Sequence, residues 1–309
     1  MSLFKKHTTR NTLALVAAVL ALIASSIGRA EHILVVAPYM EEPGTRMMVD
    51  AFSNIAHERD WEVQLIEDMN ELSLIMNSVI GTESQPDAIV INLSPELIQS
   101  SLEMAAAASI PVIGMDAAAS PLLLSNVTSN AYTMAAETSS FIVDALSEGG
   151  GVVMIVYEDY APVQKRGVVA RAIFDNAENV EVIETIVPDV SAGSFDSARE
   201  QINTFFDQHS EASNVRAIWS AWDEPALGAL AAVETSDLVK ADIIITGIDA
   251  TPEAMGALSN KNGFKATVSQ DFVGIASRVA QVIEAAATDG SSIQAVYYVP
   301  TALMTDQQV

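Results

Sequence analysis

Cysteine does not occur among the 309 residues. Its absence removes disulfide scaffolding, thiol nucleophiles, thiolate metal sites and lipid attachment through a cysteine in one step. Histidine is nearly as scarce: His7, His32, His57 and His209 stand far apart in the chain, none with a partner at metal-ligand spacing, so no metal is expected. Base is in short supply too, with 15 Lys and Arg against 40 Asp and Glu and a formal charge of −25. Such a surface repels phosphate backbones and anionic lipid, which argues against a nucleic-acid partner. No GxSxG elbow and no phosphate-binding P-loop is present. The glycine run Gly149 to Gly151 precedes an apolar stretch, whereas a dinucleotide loop follows a strand and opens a helix. Neither catalysis nor a cofactor is expected.

Half the residues are apolar, enough to fill a large interior, and the length suits two lobes of ordinary domain size. One long apolar run opens the chain. Lys5, Lys6 and Arg10 precede Leu13 to Ile23, and Gly28 and Ala30 frame a cut before Glu31. This is the layout of a cleaved secretory signal over 1–30, and the run falls short of the roughly 20 apolar residues of a membrane span. That stretch holds four of the basic residues and no acid, so the remainder is more acidic still. An exported chain with no lipid anchor stays with its cell best in a periplasm.

Past the leader, short β-branched runs alternate with amphipathic stretches. Strands are expected at Ile33 to Ala37, Glu62 to Ile66, Ala88 to Ile91 and Val112 to Met115, with helices up to Glu58, at Leu72 to Ile80 and at Pro95 to Ala108. Leu122 to Ser129 has no helical pattern and reads as a crossover. The alternation resumes with helices at Tyr132, Val163, Phe195, Glu224, Pro252 and Phe272 and strands at Val152, Val182, Val215, Ile243, Lys265 and Ile293. Strands alternating with helices imply right-handed crossovers and parallel sheets covered on both faces, an α/β fold of two doubly wound lobes. The acids Glu178, Glu181, Glu184 and Glu200 read as outer helix faces, where they serve solubility.

Two polar residues mark strand ends. Asp249 closes the run Ile243 to Ile248, and Gln270 closes Lys265 to Ser269, which sets both at the carboxyl edge of one sheet, where open α/β folds hold their ligands. Thr251 can cap the next helix, Pro252 suits its first turn and Glu253 its dipole. Asn92 and Asp116 end two earlier strands in the same way. For each, a loop or turn residue satisfying its own backbone is the plainer alternative.

The segments GIDATPEAMGAL and ATVSQD, and WDEPALGALAA at Trp222 to Ala232, resemble the second lobe of periplasmic sugar-binding proteins of the ribose/galactose type. The resemblance runs over nearly the whole chain past the leader. It implies two lobes with a three-crossover hinge, an N-terminal one over 31–129 plus 271–299 and a C-terminal one over 130–270 plus 300–309. It implies a small carbohydrate or polyol in the cleft, a monomer in the periplasm, and delivery to the membrane permease of an ABC importer. Asp116 matches the family's sugar-binding aspartate, Asn92 a polar contact, Arg166 in QKRG the arginine that grips ligand oxygens, and Asp249 and Gln270 its acceptor aspartate and hinge glutamine.

Some residues depart from the ribose pattern. Trp222 stands where ribose-type members carry asparagine, and an indole there is either a stacking platform or a second core tryptophan beside Trp219; Asp223 is expected to cap the helix that follows. The loop PYMEEPGT lacks the paired phenylalanines of ribose binders, and Ala117 replaces an arginine. Tyr39 and Phe195 can supply aromatic surface instead, and Glu42 can accept from hydroxyls, pair with a cationic ligand, or be one more surface acid. Ribose itself is disfavoured; another pentose, a hexose, a polyol or a furanose-like signal remains. Other readings are a sensor subunit serving a membrane receptor and an enzyme in the same cleft. A repressor of this fold would need a DNA-binding head where the leader stands and the opposite charge.

Overall fold

The computed structural model describes residues 31–82, 85–191, 193–209, 213–236, 243–288 and 292–308. The leader expected over 1–30 lies outside them. From the first described residues the chain forms β1 (His32–Val36), α1 (Pro43–Glu58), β2 (Glu62–Ile66), α2 (Leu72–Ile80) and β3 (Ala88–Ile91). A 3-10 turn, Pro95–Ile98, then leads into α3 (Gln99–Ala107), β4 (Val112–Met115) and β5 (Ser125–Ser129). The second series is α4 (Ala131–Ala145), β6 (Gly150–Ile155), α5 (Ala161–Asp175), β7 (Val180–Ile186), α6 (Ser194–Gln208), β8 (Val215–Ser220), α7 (Asp223–Thr235), β9 (Ile244–Asp249), α8 (Pro252–Asn260) and β10 (Phe264–Gln270). The chain ends with α9 (Phe272–Ala286), β11 (Val296–Val299) and β12 (Thr301–Thr305).

These strands build two six-stranded sheets, ordered β11-β5-β4-β3-β1-β2 and β12-β10-β9-β8-β6-β7. All pairings are parallel except β12 on β10. The chain passes from one sheet to the other after β5, back after β10, and again between β11 and β12. Alternate side chains of each strand point to opposite faces, and both faces are buried. In the first sheet Ile33, Val35 and Val90 pack under α1 and α9 through Met48, Phe52, Ile275 and Val279. Leu34, Val36 and Ile89 meet α2 and α3 through Leu72, Met76 and Leu102. The second sheet repeats this, with Val153, Ile155, Ile218 and Ile245 on one face and Val152, Met154, Trp219 and Ile248 on the other. Continuous apolar strands with helices on both sides are what a parallel sheet requires. Among the described residues no helix is long and apolar enough to cross a membrane.

Four local expectations are corrected. Ser125–Ser129 is a fully buried strand, not a bare crossover; its sequence SNVTS hides the fact, because Asn126 and Thr128 bury polar groups that bond to Ala117 and Asp116. The helix expected from Pro95 to Ala108 is split into a 3-10 turn and α3. Glu181 and Glu184 lie on β7, an edge strand, where carboxylates discourage pairing with another chain. Glu178 lies in the turn between α5 and β7, not on a helix face.

Candidate functional site

The carboxyl edges of the two sheets face each other. The loop after β1 brings Tyr39 and Glu42, and the ends of β3 and β4 bring Asn92 and Asp116. From the other side come Tyr157 and Tyr160 between β6 and α5, Arg166 on α5, Trp222 after β8, Asp249 at the end of β9 and Gln270 at the end of β10. They line one cavity, with a few convergent polar groups among apolar and aromatic walls as small-molecule sites have. Met48, Val163, Val190 and Phe272 complete its apolar wall. Close approach matters at Gly44, on the first turn of α1: a Cβ there would stand 3.0 Å from Asp249 Oδ2 and 3.4 Å from Phe272.

Of the residues singled out in the sequence, Tyr39, Glu42, Asn92, Asp116, Arg166, Trp222, Asp249 and Gln270 line this cavity. Phe195 does not. It is the second residue of α6, its ring lies 5.7 Å from the Arg199 guanidinium and its backbone packs on Gly228 of α7, so only its neighbour Ser194 reaches the cleft. Tyr157 and Tyr160 were not anticipated as lining residues. The signal was present in YEDY after β6, since aromatics make up only 6% of the chain.

Arg166 is 2% exposed. Its Nη1 donates to the Ala221 carbonyl at 2.7 Å and stands 3.5 Å from Asp249 Oδ1. Gln270 Nε2 donates to the same Asp249 oxygen at 2.7 Å. Two buried atoms beside this network, Arg166 Nε and Gln270 Oε1, have no partner. A buried donor and a buried acceptor left open together suit a hydroxyl group, which can satisfy both.

The first sheet's polar ends are engaged differently. Asn92 Nδ2 donates to the Met115 carbonyl at 2.7 Å and to the Tyr160 hydroxyl at 3.1 Å, and its Oδ1 accepts from Thr45 Oγ1 at 3.3 Å. The Tyr160 hydroxyl in turn donates to the Asp116 carbonyl, while Asp116 Oδ1 accepts from Thr128. Glu42 reaches the opposite way: Oε1 accepts from the Ser194 amide at 3.0 Å, and Oε2 from Ser194 Oγ and Trp222 Nε1, each at 2.8 Å. Trp222 is thus held against the cavity by its own N–H, whereas Trp219 is a core residue whose indole donates to Thr138.

Asp223 does not cap its helix. Its carboxylate instead accepts from the Thr251 amide at 2.8 Å and from Thr267 Oγ1 at 2.7 Å, tying the starts of α7 and α8 to β10. Thr251 does cap α8, accepting from the Ala254 amide, with Pro252 in the first turn. Burial pushes the carboxyls of Asp116, Asp223 and Asp249 upward, and Arg166 opposes the rise in all three. Burial raises Glu42 as well, against its Trp222 and Ser194 donors. One guanidinium serving several desolvated acids leaves no room for an anionic ligand. Asp116 (φ +58°), Asp249 (φ +133°) and Ala250 (φ +53°) hold positive φ beside the cavity, the kind of backbone strain that gathers at binding sites. Among the described residues no group of His, Asp and Glu is arranged to hold a metal ion.

A family model described as periplasmic binding protein domain matches residues 33–291. The chain belongs to the periplasmic binding protein family. No curated protein matches it in sequence. Solved periplasmic binding proteins share its fold at low identity. An ABC sugar transporter subunit from Rhodobacter sphaeroides is 20% identical, with a TM-score of 0.80 over 90% of this chain and 98% of that one. A solute-binding protein from Agrobacterium vitis with bound allitol is 22% identical, with a TM-score of 0.80 over 90% and 96%. The binding component of an arabinose ABC transporter from Shewanella sp. ANA-3, bound to L-arabinofuranose, is 17% identical, with a TM-score of 0.80 over 89% and 92%.

Proposed function

We propose that the chain is an exported solute-binding protein that captures a neutral polyhydroxylated ligand, a sugar or polyol, between its lobes and hands it to the permease of an ABC importer. The observation that carries this reading is the buried pair of open atoms, Arg166 Nε and Gln270 Oε1, on residues of a cavity that is also lined by the rings of Tyr39, Tyr157, Tyr160, Trp222 and Phe272 and by aliphatic side chains. Hydroxyls satisfy the first and C–H faces suit the second. Allitol in the Agrobacterium vitis protein and arabinofuranose in the Shewanella protein belong to the same chemical class. The moving bodies are 31–129 plus 271–299 and 130–270 plus 300–309, working as a monomer in the periplasm without catalysis or cofactor. The shift toward the closed state is driven by the ligand's preference for it.

A thermal-shift screen over pentoses, hexoses, polyols and furanosyl compounds tests the reading. A binder raises the melting temperature with the logarithm of its concentration, by an amount equivalent to about 2.7 kcal/mol at a hundredfold excess over Kd. The same compound then compacts the protein in small-angle scattering. A flat response across the screen would sink it.

A further inference from the structure

Polar side chains cross between the lobes in both directions. Glu42, of the β1–α1 loop, places both carboxylate oxygens on the second lobe, one on the Ser194 amide and one on Ser194 Oγ and Trp222 Nε1. The receiving point is the N-terminal end of α6, whose cap position is Gly193 and has no side chain to offer, so the acid of the opposite lobe satisfies a helix amide that would otherwise lack an acceptor. Tyr160, of the β6–α5 loop, places its hydroxyl between Asn92 and the Asp116 carbonyl of the first lobe. Ser94 adds a third tie, donating to the Asp159 carbonyl at 3.2 Å and accepting from the Ala161 amide at 3.1 Å. Around these ties Tyr39 packs on Tyr160 with ring centroids 5.5 Å apart, and Tyr157 on Trp222 at 6.3 Å.

We infer that Glu42 and Tyr160 form a reciprocal clasp that holds the closed state together, and that hydrogen-bond reading of the ligand falls to the second lobe's Arg166, Asp249 and Gln270. The division follows from which atoms are taken. Both oxygens of Glu42 and the amide of Asn92 already have partners, whereas the open buried atoms of the cavity's polar end, Arg166 Nε and Gln270 Oε1, belong to the second lobe. The ligand is therefore a neutral polyol gripped along one hydroxyl-bearing edge, its opposite face lying on apolar and aromatic wall. Glu42 and Tyr160 act as positioning residues, raising affinity for every ligand alike because they stabilise the state that all of them select. This inference rests on the interlobe cavity being the ligand site.

The lack of native cysteine makes the test direct. Met69 and Val187 sit near the two rims of the cleft, 42% and 51% exposed, and Met69→Cys with Val187→Cys gives the full chain two unique attachment points for spin labels. Glu42→Gln keeps the size of the side chain but turns an amide N–H against the donors of Ser194 or Trp222; Tyr160→Phe removes only the hydroxyl. In the labelled protein without added ligand a short-distance population is expected, and each variant should lower its ratio to the long-distance one about tenfold. Unchanged distance distributions in both variants would overturn the clasp. Titration with D-ribose, L-arabinose, allitol and glycerol should then show each variant weakening all binders by a common factor. A changed ranking among them would overturn the division of labour, because it would mean that Glu42 or Tyr160 reads the ligand. If none of the four binds, the sugar reading of the cleft suffers, while the ligand-free ratio still decides the clasp.

Discussion

Among the described residues Arg166 is the guanidinium that acts on Asp116, Asp223 and Asp249, and its neighbours explain how charge is kept low in a buried site. Asp249→Asn preserves the oxygen that Gln270 Nε2 donates to while removing a desolvated acid. Its expected effect is opposite in sign for two properties: an unchanged or higher denaturation midpoint, and ligand affinity weaker by about tenfold through loss of one charge-assisted acceptor. Calorimetric titration beside a urea melt checks both. Asp116, Asp249 and Gln270 were legible in the sequence because each ends an apolar run, which sets it at a sheet edge without knowledge of the partner, whereas Arg166, inside α5, was reached only through the resemblance. Glu42 was legible only as an acid with three readings. Its partners Ser194 and Trp222 lie 152 and 180 residues away, and nothing local encodes that pairing. Tyr160 went unnoticed for a related reason: YEDY after β6 offers an aromatic but not its role, which comes from Asn92 and Asp116 across the cleft.

At the scale of elements, the second sheet is fastened at its carboxyl edge by Asp223. The carboxylate of this first residue of α7 accepts from Thr251 ahead of α8 and from Thr267 in β10. β9 runs between them, and Gly247 is what lets it pass, since a Cβ there would overlap Asp223 Oδ1. Asp223→Ala strips a buried amide and a buried hydroxyl of their acceptor, so it should lower stability by about 3 kcal/mol, seen as a drop in denaturation midpoint with the slope kept. A loss no larger than that of an exposed acid would show that the tie is idle. Elements with strong apolar patterning, such as Ala88–Ile91 and Val215–Ser220, could be placed from sequence to the residue. Ser125–Ser129 could not, because its strand is held by what its polar side chains reach in the neighbouring loop rather than by its own pattern.

At the scale of the whole molecule, titration behaviour follows from how many acids the cleft buries. Glu42, Asp116, Asp223, Glu224 and Asp249 all have carboxyls raised by burial, Glu224 to about 7 with help from Glu42, Glu253 and Asp223 nearby. Among the described groups only Asp189, which is exposed, is lowered. A raised carboxyl binds its proton more tightly in the folded protein than in the unfolded chain. Its stabilising effect is therefore complete below the ordinary carboxylate range and is lost as pH climbs through the raised value. The window here runs from about 4 to about 7, ending where Glu224 ionises. Repulsion within a chain of formal charge −25 weakens in the same direction on acidification. The melting temperature should thus be higher at pH 5.5 than at pH 7.5 by roughly a few degrees. Glu224→Gln should flatten the upper part of that slope only in part, because burial carries Asp249 up to about 7 as well, and should leave the lower part, where Asp223 ionises at about 6. A melting temperature that rises with pH across this interval would mean that these acids are solvated in the free protein, and that the closed cleft described here is reached only when a ligand holds it shut.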